Sequence, residues 1–292
     1  MNLDGILVPI VTPFTDDGQV DAARLRTLAE AFIDKGVTGI VACGTTGEYY
    51  SFSEAERATV LETIAQAGKG RVTLIAGISD LSTDVAARRA REAKALGYDG
   101  LMLSVPPYSL PSQEGIIAHF EHVASVTNLP IIMYNFPARV GVEIEFDTVA
   151  HLARHPNIKA IKESSGNFSH ALRMLQAGFE DFQVICGCDD QPVDYFFWGA
   201  TSWIAGAANV FPDEQIALYR AAKEQDWDKA RQIMTQMYPA IHSMESGNYN
   251  QKAKIGCLRG TFDAGDVRLP LANLSKEERD AFLSLLKSSG EK

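Results

Sequence analysis

Lys162 closes a short apolar run, Ile158-Lys159-Ala160-Ile161, and that position gives it a chemistry. In an extended strand alternate side chains share a face, so Ile158, Ala160 and Lys162 are expected to point the same way. An amine carried into an apolar interior loses hydration, which favours its neutral form, the nucleophile for a carbonyl carbon. Other polar residues end other apolar runs. Gly44-Thr45-Thr46-Gly47-Glu48 makes a tight loop whose backbone N–H groups and hydroxyls suit a carboxylate. Tyr134 offers a phenol for proton transfer, and Arg139 a guanidinium fork for a carboxylate. Each has an ordinary alternative when taken alone. Lysines flank many strands, Gly-Thr-Thr-Gly is a common turn, tyrosines fill cores and arginines cover surfaces.

The elements that must position these residues recur with a regular beat. Apolar or β-branched runs occupy Ile6–Pro13, Gly39–Cys43, Val72–Gly77, Gly100–Val105, Ile131–Tyr134, Ile158–Lys162, Phe182–Gly187 and Ser202–Ala205. Amphipathic stretches separate them: Asp21–Lys35, Ser53–Ala67, Thr83–Leu96, Ser112–Val126, Phe146–His155, Phe168–Ala177, Gln191–Gly199 and Pro212–Glu224. Ser53 with Glu56, and Ser112 ahead of Gln113-Glu114, read as helix starts. Alternating strands and helices give a parallel α/β fold, and this count and even spacing favour a (β/α)₈ barrel over a doubly wound sheet. The expected division is a catalytic barrel over residues 1–226 and a C-terminal helical extension over 227–292. Within the extension Trp227–Ser246 and Ser275–Lys287 read as helices, with Ser288–Lys292 frayed. A barrel of this kind carries its site at the C-terminal ends of the strands, where the loops after strands two, four, five and six converge.

Composition narrows the partners. A net charge of −10 over 292 residues, with no basic cluster, argues against nucleic acid and anionic membrane surfaces. No apolar run reaches the ~18 residues of a spanning helix, and the start lacks a signal-like pattern, so a cytoplasmic protein is expected. Cys43, Cys186, Cys188 and Cys257 are too scattered for a disulfide framework and read as reduced core thiols. The pairs His119/His122 and His151/His155 have helical spacing but no further ligands in sequence, so no metal is expected. Asp189-Asp190 reads as a helix cap after strand seven. No phosphate-binding glycine loop follows a strand, so no nucleotide cofactor is expected.

Together the residues resemble the pyruvate-dependent dihydrodipicolinate synthase / N-acetylneuraminate lyase superfamily. The resemblance runs along nearly the whole chain. It is carried by Gly44-Thr45-Thr46-Gly47-Glu48, Pro111-Ser112-Gln113-Glu114-Gly115, Tyr134-Asn135 with Pro137, Lys162-Glu163, Gly187 with Asp189-Asp190, Ala208-Asn209-Val210 and Arg268-Leu269-Pro270. It implies a metal-free lyase or synthase in which Lys162 forms a Schiff base with a 2-oxo acid such as pyruvate. By the same resemblance Tyr134 relays protons, and Thr45 links it to Tyr108, which a neighbouring subunit of a dimer or tetramer supplies. Thr46, Gly187 and Ile204 match substrate-binding positions, and Arg139 matches the arginine that holds the second substrate's carboxylate.

This chain departs from the synthases in three places. It has Tyr108-Ser109-Leu110 after strand four, Tyr49-Tyr50 after the threonine loop, and Asn248-Tyr249-Asn250 in the tail. Arg139 nevertheless tilts the expectation toward condensation of pyruvate with an aldehyde, 4-hydroxy-tetrahydrodipicolinate synthase-like, and the departures keep other reactions open. Alternatives are an aldolase, dehydratase or deaminase acting on another hydroxylated 2-oxo acid, or a non-catalytic 2-oxo acid sensor.

Overall fold

Eight parallel strands pair in chain order and close, β1 bonding to β8. They are β1 Gly5–Pro9, β2 Gly39–Ala42, β3 Thr73–Gly77, β4 Gly100–Ser104, β5 Ile131–Asn135, β6 Ile158–Glu163, β7 Gln183–Cys186 and β8 Ser202–Ile204. The computed structural model describes residues 1–289. The connecting helices are α1 Ala22–Lys35, α2 Glu54–Gly68, α3 Thr83–Leu96, α4 Gln113–Ser125, α5 Pro137–Val140, α6 Phe146–Leu152, α7 Phe168–Leu175, α8 Pro192–Phe197 and α9 Pro212–Lys223. Beyond them come α10 Trp227–Glu245, α11 Tyr249–Ile255 and α12 Lys276–Ser288. The barrel expected from the alternation is thus present. Of the tail expected to fray, Ser288 ends α12 and residues 290–292 lie outside the described residues.

Local signals explain where the helices begin. Ser53 and Glu56 form a reciprocal capping box on α2, and Ser275 with Glu278 does the same on α12. Asp21 and Ser112 accept from the first-turn N–H groups of α1 and α4. The first apolar run reaches further than β1: residues 10–14 are buried, with Ile10 N still donating to Val41 O of β2 at 3.2 Å. There Val11 N donates instead to the Asn209 side chain at 3.0 Å.

The core has two layers. Leu7, Val41, Ile75, Met102, Ile132, Ala160, Ile185 and Ile204 fill the barrel interior with Tyr134 above them. A second, larger layer lies between the strands and the helices. Ile158 belongs to that outer layer, not to the face of Ala160 expected from strict alternation. The register between β5 and β6 slips there, with Ile131 opposite Ile158 but Ile132 opposite Ala160. The extra residue resets the alternation, so Ala160 and Lys162 still share the inner face.

The extension is keyed to the barrel by one buried ion pair. Lys254 of α11 lies 2.8 Å from Glu48 in the loop after β2, with side chains 1% and 0% exposed. Glu48 also accepts from the Arg268 backbone N–H at 3.0 Å, and the Lys254 ammonium sits 3.9 Å from the Phe14 ring centroid. Removing one member leaves a charge buried alone. Lys254→Met is therefore expected to destabilise the fold by about 3–5 kcal/mol in urea denaturation. Adding Glu48→Gln should restore part of that loss; a single variant within about 1 kcal/mol of wild type would contradict it.

Candidate active site

At the C-terminal end of the barrel a cavity of about 290 Å³ opens between the strand loops and the extension. Lys162 lies in its floor, 5% exposed, with no ion-pair partner among the described residues. Its Nζ stands 4.4 Å from the centre of the Tyr134 ring. Burial above all lowers its pKa to about 8, against the opposing pull of Asp189 and the two nearby thiols. A lysine with that pKa is neutral in roughly one molecule in ten at pH 7, far more often than a lysine in water.

Neighbouring residues hold Lys162 in place. Its successor Glu163 points away from the barrel axis into full burial. There it accepts from Asn135 Nδ2 at 2.7 Å and from Ser165 N at 2.6 Å. Asn135 in turn accepts from Ile144 N at 3.0 Å, so the ends of β5 and β6 are laced together. Gly187, just past β7, permits close approach: a Cβ there would lie 2.9 Å from Lys162 Cγ and closer still to Ser164.

Tyr134 is 7% exposed. Burial raises its pKa beyond the usual phenol range, although Arg139, Ser164 and Thr45 pull the other way. It therefore remains a phenol, able to donate a proton. The Thr45–Thr46 loop is closed by Gly47, Glu48 and Tyr49 N–H groups bonding back within it. The N–H groups of Thr45 and Thr46 take no part in those bonds, and both residues line the cavity. Asn250 of α11 braces the loop, donating to Thr45 O at 3.1 Å. Arg139 stands exposed at the rim, 5.8 Å from the Phe136 ring centroid.

An amine that burial biases toward its neutral form, a phenol and two threonines in one cleft are parts that carbonyl chemistry can use. A model of the dihydrodipicolinate synthetase family matches residues 2–289. The chain belongs to that family. Among related proteins, the 4-hydroxy-tetrahydrodipicolinate synthase of Methanosphaerula palustris is 37% identical over 288 residues, covering 97% of this chain and 98% of its own. That of Moorella thermoacetica is 36% identical, covering 98% of each. A dihydrodipicolinate synthase structure from Bacillus anthracis superposes with a TM-score of 0.95 at 31% identity, covering 99% of both chains. One from Acinetobacter baumannii, described as chloride inhibited and complexed with pyruvate, gives 0.92 at 31% identity, again covering 99% of both.

Within this dihydrodipicolinate synthetase family member, Lys162, Tyr134, Thr45, Thr46, Arg139 and Gly187 all meet at one cavity. Two expected residues stand elsewhere. Ile204 is fully buried in the barrel interior and is not in the cavity wall. Tyr108 is 93% exposed, with left-handed backbone (φ 73°), and does not line the cavity either. Asp189 corrects the sequence reading. It does not cap α8, whose N-cap is Gln191; it is 2% exposed and lines the cavity. Its carboxylate accepts from Ala207 N, at 2.9 Å, in the turn after β8. The sequence reading missed Glu245 and named Tyr249 and Asn250 only as a departure in the tail; the extension brings all three to the wall. Their signal was the Gly247-Asn248 break, where positive φ values of 136° and 54° end α10 and turn the chain back over the barrel mouth.

Proposed function

We propose that this protein is a class I lyase or synthase that joins pyruvate to an aldehyde through a Schiff base on Lys162. The observation that carries this is the buried Lys162, without an ion-pair partner among the described residues, over Tyr134 in the cavity at the barrel mouth. Membership of the family and relatives named 4-hydroxy-tetrahydrodipicolinate synthase support it. So does a similar structure described as a pyruvate complex.

The 2-oxo acid docks its carboxylate on the N–H groups and hydroxyls of Thr45 and Thr46. Neutral Lys162 adds to the ketone carbon, giving a carbinolamine. Tyr134 gives a proton to the departing oxygen, water leaves, and the imine remains. Loss of a methyl proton converts the imine to an enamine, whose carbon attacks the aldehyde carbon. The new alkoxide takes up a proton, and water releases the product from Lys162. Arg139 at the rim suits a carboxylate on the aldehyde partner by paired charge-assisted hydrogen bonds. Neither buried metal nor nucleotide enters this scheme.

Tyr108 acts, in this proposal, across an interface in an oligomer of identical chains. Its exposure and left-handed backbone support a residue offered outward and not to its own cavity.

Two outcomes test the scheme. Borohydride added with pyruvate should inactivate the enzyme and leave one adduct, mapped by peptide mass spectrometry to Lys162. An adduct elsewhere, or none, would favour a sensor that binds 2-oxo acids without turnover. For the interface, Tyr108→Phe and Lys162→Ala chains refolded together should regain activity above either parent; hybrids without recovery would make Tyr108 structural.

A further inference from the structure

Two stretches in which this chain departs from the synthases meet beside the cavity. Tyr50 follows the threonine loop and Asn250 lies on α11, 200 residues on, yet Asn250 Nδ2 donates to Tyr50 OH at 3.1 Å. The same nitrogen donates to Thr45 O, also at 3.1 Å. A side-chain amide nitrogen carries two hydrogens, so both are spent here, one on each oxygen. Asn250 is 4% exposed, which leaves little water to replace either partner. Thr45 O also accepts from Glu48 N at 3.1 Å, so both of its lone pairs are engaged.

That carbonyl bears on the carboxylate nest. Thr45 C=O and Thr46 N–H belong to one planar trans peptide unit and point in opposite directions. Holding the carbonyl therefore aims the Thr46 N–H, which no bond within the loop uses, and Thr46 lines the cavity. Tyr50 can serve as a fixed acceptor because its own segment is tied down. It sits in the 3₁₀ turn Tyr49–Ser51, and Ser51 donates from both N and Oγ to Glu48 O at 2.9 Å. Its ring meets that of Tyr49 edge on, with centroids 5.7 Å apart. Burial, then the charge of Glu48, raise the phenol to about 12, so near neutral pH it accepts in a single protonation state.

We propose that Tyr50 is a positioning residue for the 2-oxo acid carboxylate, acting through the Asn250 amide on the Thr45–Thr46 peptide. The proposal rests on the Schiff-base reading and adds to it a residue outside the cavity wall, which Asn250, Thr45 and Thr46 line but Tyr50 does not. With the phenol oxygen gone, one amide hydrogen of a buried residue loses its partner. The amide then turns to recover one, and the peptide that it holds loosens with it.

The test measures the concentration of pyruvate that half-saturates cyanoborohydride trapping on Lys162, in the wild type, Tyr50→Phe, Asn250→Ala and the double variant. Methyl pyruvate, which offers the same ketone without the carboxylate charge, is run beside it. Tyr50→Phe should raise half-saturation by pyruvate about three- to tenfold, the worth of one hydrogen bond. Half-saturation by methyl pyruvate should stay within about twofold, since an ester lacks the charge that strengthens bonds to the nest. The double variant should match Asn250→Ala, because Tyr50 acts only through that amide. Tyr50→Phe removes a single oxygen from a residue 44% exposed, so the fold is not at stake. Asn250→Leu, of similar volume, stands in if the alanine variant does not fold. Equal weakening of both ketones marks a general loosening and would overturn the proposal. So would a Tyr50→Phe enzyme indistinguishable from wild type, or a double variant whose losses add. Any of these results with pyruvate still trapped on wild-type Lys162 sinks only the role of Tyr50. No trapping in the wild type sinks the Schiff-base reading as well.

Discussion

Desolvation of Lys162 is the constraint on which the rest of the site depends. An amine in water is protonated at neutral pH and inert toward a ketone. Here the barrel supplies the environment that water would deny it. Ala160 and the apolar interior layer lie beneath the residue, and Tyr134 faces it. The fold must then hold an unpaired, hydrogen-bonding group in an apolar setting, which costs stability unless its surroundings are rigid. The lacing of Asn135 to Glu163, and of Glu163 to Ser165, supplies that rigidity one residue away from Lys162.

A barrel alone would leave the mouth of the site open. The extension covers part of it, and its placement depends on charges outside the cavity. The buried Glu48–Lys254 pair fixes α11 against the loop after β2, the loop that also carries Thr45 and Thr46. Asn250, on the same helix, braces that loop directly. The Thr45–Thr46 loop and Asp189 are therefore both held by residues of one helix, Asn250 and Tyr249. A larger cavity of about 510 Å³ lies behind this helix, beside Phe14 and Arg268, but neither Lys162 nor Tyr134 lines it.

The barrel was legible because buried parallel strands are short apolar runs, and helices between them show amphipathic patterning and caps. Lys162, Tyr134 and the threonine loop were legible because each ends such a run on the rim where barrel sites form. Strand register was not legible. The slip beside Ile158 leaves no mark in residue type, so its face was misassigned while that of Lys162 was not. Asp189 was misread for a different reason. An acidic pair before a helix is a common capping signal, and only the return of Tyr249 from 60 residues away gives its carboxylate another role. Glu245 and Tyr249 belong to the extension, and nothing local to them reveals which strand ends they cover.

The central claim is that the fold keeps Lys162 uncharged enough to attack a carbonyl, and its ionisation can be measured directly. Competitive acetylation with trace labelled acetic anhydride, quantified peptide by peptide across pH, reports the neutral fraction of each lysine. The account predicts that Lys162 titrates with a midpoint near 8. The reference for comparison is the value of a free lysine side chain in water, about 10.4. If Lys162 titrates with the exposed lysines, burial does not activate it, and the mechanism built on its neutral amine is contradicted.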